Sequence, residues 1–186
     1  MINKESFYVS VRKSFGKLNS SQIEGFEAII DEFEAQKIKD ARHLAYMLAT
    51  VWHECATLMR PIEEWGRGHS KPYGKKIKFN SKAYAEPNQL YYGRGFVQLT
   101  WFENYEKIGN ILGIDLLKAP ALALDLKIAT KIMFVGMEFG IFTGKRLSDY
   151  FNDKEDNPIG ARKIINGLDK ANLISGYYQE FLNAIK

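Results

Sequence analysis

Residues 40–61 read DARHLAYMLATVWHECATLMRP, and they carry the clearest helical pattern in the chain. Apolar side chains recur three or four positions apart in this stretch, which is the spacing of one face of a helix. Those side chains are Leu44, Leu48, Val51, Cys55 and Leu58. Pro61 removes a backbone donor and clashes with the preceding turn, so the helix is expected to end at Arg60. We therefore predict an amphipathic helix from about residue 40 to residue 60.

A second helical pattern precedes this stretch. Ser21 and Glu24 have the spacing of a capping box at its start, and it is expected to end near Gln36. Its apolar face needs burial, so residues 1–36 are expected to pack on the core of residues 40–186. That face consists of Ile23, Phe26, Ile30 and Phe33. A chain of 186 residues fits one domain of ordinary size.

The remainder of the chain alternates between an irregular segment and further helical patterns. Residues 65–95 are rich in Gly, Pro, Lys, Tyr and Asn, and contain two short β-like pieces, at 76–79 and 90–92. Four helical patterns follow, at residues 102–112, 121–142, 158–165 and 170–185. The chain is therefore predicted to be mainly α-helical, with a small β-hairpin or irregular segment bordering a cleft.

Composition and charge exclude several classes of protein. Apolar residues make up 46% and charged residues 26%, the balance of a globular chain. The net charge is +4, but the basic residues are scattered and no nucleic-acid motif accompanies them, so nucleic acid is not an expected partner. The lone Cys55 cannot form an intrachain disulfide, and the three histidines lack metal-site spacing, so neither a metal nor a cofactor is expected.

The first residues, and the chain as a whole, lack the apolar runs of export signals and membrane spans. MINKESFYVSVRKSFGK carries charges throughout, unlike a secretory signal. No apolar run approaches the ~20 residues that a bilayer requires. We therefore expect a protein that is made and kept in a cytoplasm, without stable membrane insertion, and a monomer.

Glu54 and Glu63 are the candidate catalytic pair. Two carboxyl groups, one protonated and one ionised, can cleave a glycosidic bond when they flank it. Glu54 lies at the margin of the apolar stripe, where desolvation is expected to raise its pKa and favour the acid role. A straight helix would put Glu63 on the opposite face, about 13 Å along the axis, but an end before Pro61 lets the chain turn back. Glu64 is expected to point away from Glu63, toward solvent or a basic side chain, but it is the alternative to Glu63 as the second carboxylate.

Several segments resemble glycoside hydrolase family 19, which comprises plant-type chitinases and their bacterial and phage lysozyme relatives. The resemblance runs from about residue 40 to the C-terminus, in the same order throughout. The segments are AYMLATVWHE (45–54), RPIEEW (60–65), YYGRGFVQLTWFENY (91–105), GMEFGIFTG (136–144) and GARKIING (160–167). The resemblance implies a lysozyme-like helical fold and hydrolysis with inversion of the anomeric carbon.

The resemblance also implies roles for individual residues. It makes Glu54 the general acid, Glu63 the base that activates water, and Thr100 the hydroxyl that holds the water. Substrate-binding positions implied by the motifs are His53, Tyr91, Gln98, Asn104, Tyr105 and Asn166. His53 is expected to act as a hydrogen-bonded buttress. Arg94 and Arg162 are expected to tether carboxylates, because guanidinium groups pair well with them.

The leading hypothesis is a phage or prophage endolysin that cuts between N-acetylmuramic acid and N-acetylglucosamine in peptidoglycan. Such a protein would wait in the host cytoplasm for a separate membrane pore before it acts on the periplasmic wall. No separate cell-wall-binding domain is expected. The alternatives are a chitinase, a lytic transglycosylase that leaves 1,6-anhydro ends, and a glycan-binding module without catalysis.

Overall fold

The computed structural model of the protein describes residues 2–186, and these residues are mainly α-helical, as predicted. Six α-helices lie in this part of the chain: α1 Lys4–Phe15, α2 Ser20–Ala35, α3 Ala41–Glu54, α4 Phe102–Leu112, α5 Leu126–Phe139 and α6 Ala171–Ile185. A small antiparallel sheet joins β1, Ile62–Glu63, to β2, Arg94–Gly95. None of the helices in residues 2–186 combines the length and apolar character needed to cross a membrane.

Helix α3 lies at the centre of the fold and packs against α6 and α2, while α1 packs against α6. Every residue of α3 from His43 to Trp52 is buried. Trp52 contacts the rings of Phe26 from α2 and Phe181 from α6, so three helices meet around one indole. The two N-terminal helices therefore share the main hydrophobic core, and the apolar face that contains Phe26 is buried as expected.

Helix α3 ends at Glu54, six residues before the predicted end at Arg60. Ala56 and Thr57 adopt left-handed backbone conformations, with φ of 47° and 66°. The Thr57 N–H donates to the Trp52 carbonyl at 2.8 Å and closes the helix end. Leu58 is consequently 45% exposed and does not belong to the buried stripe. Pro61 lies beyond a turn that has already been completed, which is why it does not set the helix end.

Three other helical patterns differ in detail from the prediction. The capping box of α2 uses Asn19 and Gln22 in place of Ser21 and Glu24. Residues 121–142 divide at Asp125, whose side chain caps α5 after a 3₁₀ turn over Pro120–Leu124. The pattern at 158–165 forms a 3₁₀ turn, Gly160–Ile164, and not an α-helix. The patterns at 102–112 and 170–185 form α4 and α6 as expected.

The irregular segment is largely loop, but its strands lie elsewhere than predicted. Strands β1 and β2 flank the segment, whereas the predicted pieces at 76–79 and 90–92 form no strands of their own. Only a bridge between Ile77 and Ala83 marks a small hairpin-like turn there. The strand register places Glu63 opposite Arg94. Pairing of β1 with β2 thus brings the second carboxylate next to an arginine that lies 31 residues further along the chain.

Candidate active site

Glu54 is the last residue of α3, and its carboxylate is held by an arginine from the other end of the chain. Arg162 Nη1 donates to Glu54 Oε1 at 2.5 Å. The Arg162 side chain is only 4% exposed, and its Nε donates to the Asp169 carbonyl at 3.0 Å, which fixes the guanidinium. The predicted tether by Arg162 is confirmed.

Glu63 projects from β1 into a group of hydrogen-bond donors. The Tyr92 hydroxyl donates to Glu63 Oε1 at 2.5 Å, and Arg67 Nε donates to Oε2 at 3.0 Å. Arg94 Nε lies 3.7 Å from Oε1, so the predicted tether by Arg94 is also confirmed. The hydrogen bond from Tyr92, assisted by the two arginines, holds the pKa of Glu63 below its ordinary value against the opposing effect of burial. Glu63 is therefore ionised at neutral pH, as a general base must be.

Glu64 makes contacts different from those predicted. Its Oε1 accepts a hydrogen bond from the Tyr73 hydroxyl at 2.8 Å, and its Oε2 accepts one from the Gly93 N–H at 3.0 Å. The partners of the carboxylate are therefore a phenol and a backbone amide, and not a basic side chain. The Glu64 N–H also donates to the Gly93 carbonyl at 2.8 Å. A side chain at position 93 would crowd Gln98 and Glu64, so a larger residue there would require these two side chains to shift. Glu64 thus connects the irregular loop to the strand pair. The Glu63 side chain remains 30% exposed.

A groove of about 170 Å³ gathers three of the predicted residues. Its walls consist of Phe79, Val97, Gln98, Thr100, Trp101, Asn104, Phe142 and Ile165. Gln98 Nε2 donates to the carbonyl of Ile62, the residue before Glu63, at 3.2 Å. Ile165 directly follows the 3₁₀ turn that carries Arg162. The groove therefore adjoins both the strand that holds Glu63 and the turn that holds Glu54.

Tyr91 and Tyr105 do not line the groove, and their prediction as substrate-binding residues is wrong. Tyr91 is 1% exposed and donates its hydroxyl to the Leu117 carbonyl at 2.9 Å. Tyr105 is fully buried; its hydroxyl donates to the Tyr92 carbonyl at 2.9 Å and accepts from Arg94 Nη1 at 3.1 Å. Both rings pack in a second hydrophobic cluster beneath the site. Tyr105 supports Tyr92 and Arg94 from below, which is a structural role.

His53 and Asn166 have less definite surroundings. His53 is half-buried in the last turn of α3, and its ring has no hydrogen-bond partner within residues 2–186, so the expected buttress contact is not formed. Asn166 is exposed beside Ile165, and its side-chain oxygen accepts from the Gly167 N–H at 2.8 Å. Contact of either residue with a glycan stays a prediction.

Two residues of the site were not anticipated, Arg67 and Tyr73. Arg67 lies four positions after Glu63, a spacing that suggests a pair only on a helix, whereas this stretch is a loop. Tyr73 reaches Glu64 from a 3₁₀ turn, Pro72–Gly74. Across residues 2–186, no cluster of three or more His, Cys, Asp or Glu side chains is arranged to hold a metal ion.

The helical fold is shared with solved chitinases of low sequence identity. Chitinase C from Streptomyces griseus superposes with a TM-score of 0.64 and 22% identity, over 99% of this chain and 92% of that one. A class IV chitinase from Zea mays superposes with a TM-score of 0.63 and 20% identity, over 96% and 90% of the two chains.

Residues 24–137 match the sequence profile of glycoside hydrolase family 19, described as chitinase class I. Because the match covers more than half of the chain, the chain belongs to this family. An endochitinase of Arabidopsis thaliana is 38% identical over 100 residues, 52% of this chain and 32% of the relative. Inactive chitinase-like protein 1 of Hevea brasiliensis is 38% identical over 71 residues, 36% and 23% of the two chains. The chain spans about a third of the length of the first of these relatives.

Proposed function

We propose that this protein hydrolyses β-1,4 glycosidic bonds in glycans that contain N-acetylglucosamine, with chitin-type chains as one substrate. The observation that carries the proposal is the contrast between two carboxylates beside one groove. Glu63 is held ionised by Tyr92 and Arg67, whereas Glu54 is bonded through Oε1 alone. Family membership supports the reaction class, and the endochitinase names of relatives support the chitin-type substrate.

The proposed reaction is a single displacement. Glu63 takes a proton from a water molecule as that water attacks the anomeric carbon, and Thr100 holds the water from the groove wall. Glu54 gives a proton from Oε2 to the glycosidic oxygen, which leaves as the hydroxyl of the second fragment. Substrate that fills the groove excludes water from it, which strengthens the electrostatic interactions inside. Inverting enzymes of this kind place their carboxyl groups roughly 6.5–9.5 Å apart, with room for the water.

Peptidoglycan is a second candidate substrate, supported by the charge of the irregular loop. Residues 65–85 contain six Lys or Arg side chains and no Asp or Glu. Phe79 of this loop forms part of the groove wall, so the positive charge lies beside the site. Chitin is uncharged, whereas peptidoglycan carries carboxylates, which a cationic loop attracts. On this substrate the protein would act as an endolysin, held in a host cytoplasm until a separate pore releases it.

The test is the replacement of Glu54 by Gln, which preserves shape and removes the proton donor. Hydrolysis of chitin oligomers and of purified peptidoglycan is expected to fall by roughly 10²–10⁴-fold, with the fold intact by circular dichroism. Glu63→Gln should have a comparable effect, whereas Glu106→Gln, an exposed carboxylate on α4, should have none. Unchanged hydrolysis in Glu54→Gln would contradict the acid assignment.

Product analysis separates hydrolysis from the transglycosylase alternative. A hydrolase releases reducing ends with the oxygen of water incorporated, so products formed in ¹⁸O-water gain mass. A lytic transglycosylase instead yields 1,6-anhydro ends that carry no label. Unlabelled anhydro ends as the main product would remove Glu63 and Thr100 from their proposed roles.

A further inference from the structure

A second cavity, of about 430 Å³, shares no lining residue with the groove described above. We call it the basic pocket, and its lining consists of Arg67, Lys76, Asn88, Gln89, Leu90, Tyr92 and Arg94. Three of these residues, Arg67, Tyr92 and Arg94, also contact the Glu63 carboxylate. The pocket is therefore continuous with the candidate base, and its volume lies within the roughly 300–1,000 Å³ typical of small-ligand sites.

The basic pocket has three cationic side chains in its lining and no carboxylate. Glu63 at its edge balances one of the three charges. Arg94 is 5% exposed, and its guanidinium carbon lies 3.6 Å from the centre of the Tyr92 ring. Its Nε has no hydrogen-bond partner within residues 2–186. The guanidinium of Arg94 therefore adds a positive charge to the pocket wall, which favours an anion in the pocket.

The other members of the basic pocket are also held in place. Lys76 Nζ donates to the Asn88 side chain and to the Ala85 carbonyl, the latter at 3.4 Å. Arg94 Nη1 donates to the Leu90 carbonyl at 3.1 Å. Neither partner of Lys76 is a carboxylate, so no ion pair offsets its positive charge. Little side-chain entropy is then lost when an anion binds.

We propose that the basic pocket binds a carboxylate carried by the glycan, next to the bond that is cleaved. This inference rests on the proposed glycosidase function and extends it, because it assigns the choice between neutral and anionic glycans to named residues. Two carboxylates of peptidoglycan have the required chemistry: the lactyl group of muramic acid, which is free when the peptide is absent, and the carboxylates of the stem peptide. Chitin offers neither, so the basic pocket favours peptidoglycan.

The experiment measures binding apart from turnover. In the Glu54→Gln background, the dissociation constants of chitin oligomers, peptide-free glycan strands and strands with stem peptides are measured by calorimetry at low and high salt. Lys76→Gln is expected to reduce the preference for anionic over neutral strands by roughly twofold to fivefold, the effect of one partly exposed ion pair. Lys76→Arg should restore most of that preference. Lys75→Gln, an exposed neighbour outside the pocket, should leave it unchanged.

Preference for peptide-free strands would identify the lactyl carboxylate as the ligand, and preference for peptide-bearing strands alone would identify the stem peptide. Either supports the proposal, provided that Lys76→Gln weakens the preference and high salt reduces it. Equal affinity for neutral and anionic strands would overturn it. So would equal effects of Lys75→Gln and Lys76→Gln, because the loop's charge would then act as a whole. Failure of the proposed function is seen separately, as absence of hydrolysis by the unmodified protein.

Discussion

Tyr92 connects the candidate base to its surroundings through both ends of its side chain. Its hydroxyl donates to Glu63, and its ring face carries the guanidinium of Arg94. The ring face that carries Arg94 is therefore not free to stack on a sugar. Tyr105 then supports both residues from below through its own hydroxyl. The contacts from Tyr105 to Tyr92 and Arg94, and from these two residues to Glu63, thus connect the carboxylate to the buried core.

Tyr92→Phe is expected to raise the pKa of Glu63, because the hydrogen bond from Tyr92 is the largest cause of its depression. A base must be ionised, so the acid limb of the profile of kcat/KM against pH should move to higher pH. Tyr73→Phe is the matched control, since it removes a phenol bonded to the neighbouring Glu64. An acid limb that moves equally in both variants, or in neither, would show that Tyr92 does not tune the base.

Cys55 lies directly after the candidate acid but is buried and takes no part in the chemistry. It is fully buried, and its thiol donates to the Phe96 carbonyl at 3.6 Å. Burial raises the pKa of Cys55 to about 12, so almost no thiolate exists at neutral pH. A thiol reagent at pH 8 should label the folded protein at least about a hundredfold more slowly than the unfolded chain. Rapid labelling of folded protein would mean that this helix end opens.

At the scale of elements, the position of Glu54 depends on where α3 stops. The turn through Ala56 and Thr57 directs the following chain away from the helix axis, and β1 then begins only eight residues after Glu54. A helix continued to residue 60 would have carried Glu63 far along the axis. Pairing of β1 with β2 fixes the returning segment. The helix end and the strand pair together make a two-carboxylate site possible.

An ion pair between His43 and Glu138 links α3 to α5, with Nδ1 2.8 Å from the carboxylate. Burial acts to lower the pKa of His43, but the hydrogen bond and charge of Glu138 outweigh it and raise the folded-state pKa above 6.5. The ion pair therefore contributes its full stabilisation below the pKa that His43 has in the unfolded chain. That stabilisation is lost as the pH rises through the higher pKa that His43 has in the folded protein. Its size should be about 1–3 kcal/mol, that of a charged hydrogen bond with little exposure.

Glu138→Gln is expected to lower Tm most at acidic pH, and its difference from the unmodified protein should shrink toward pH 9. The measurement is thermal unfolding of both proteins across this range. Glu106→Gln on the exposed face of α4 should show no such trend. A Glu138→Gln effect of constant size at every pH would indicate a contact that does not depend on the charge of His43.

At the scale of the whole molecule, the N-terminal helices are part of the core that supports the site. Phe26 of α2 is fully buried and contacts the rings of Trp52 and Phe181. Trp52 lies two residues before Glu54 on the same helix. Packing in residues 4–35 is therefore coupled through α3 to the candidate acid.

Phe26→Ala should destabilise the protein by about 3–5 kcal/mol, the usual result of removing a large buried aromatic side chain. Urea unfolding followed by tryptophan fluorescence measures the change. Val9→Ala on α1, where the side chain is 63% exposed, should stay within about 0.5 kcal/mol. Equal and small effects of the two substitutions would show that the N-terminal helices add little to the stability of the core.

Several features of the fold and site follow from local sequence patterns. Helices α2, α4 and α6 were predictable because a helix pattern repeats within a few residues. The motifs made Glu54, Glu63 and Thr100 candidates, and their catalytic roles stay predictions that rest on resemblance. Helix α3 was predictable in existence but not in length, because left-handed residues such as Ala56 carry no periodic signal. Buried and groove-lining tyrosines look alike in a motif, which explains the errors at Tyr91 and Tyr105.

The sequence by itself determined the helical class, the family and the candidate carboxylates, because these depend on local periodicity and on ordered motifs. Only the tertiary structure decided which partners hold those carboxylates. Glu54 meets Arg162 across 108 positions, and Glu63 meets Tyr92 across 29. Such pairs form only when α3, the 3₁₀ turn and the strand pair pack together. Their electrostatic energy depends on the distance between the groups in space, which the separation along the chain does not give. The environment of each carboxylate, and therefore its chemistry, is a property of the packed chain.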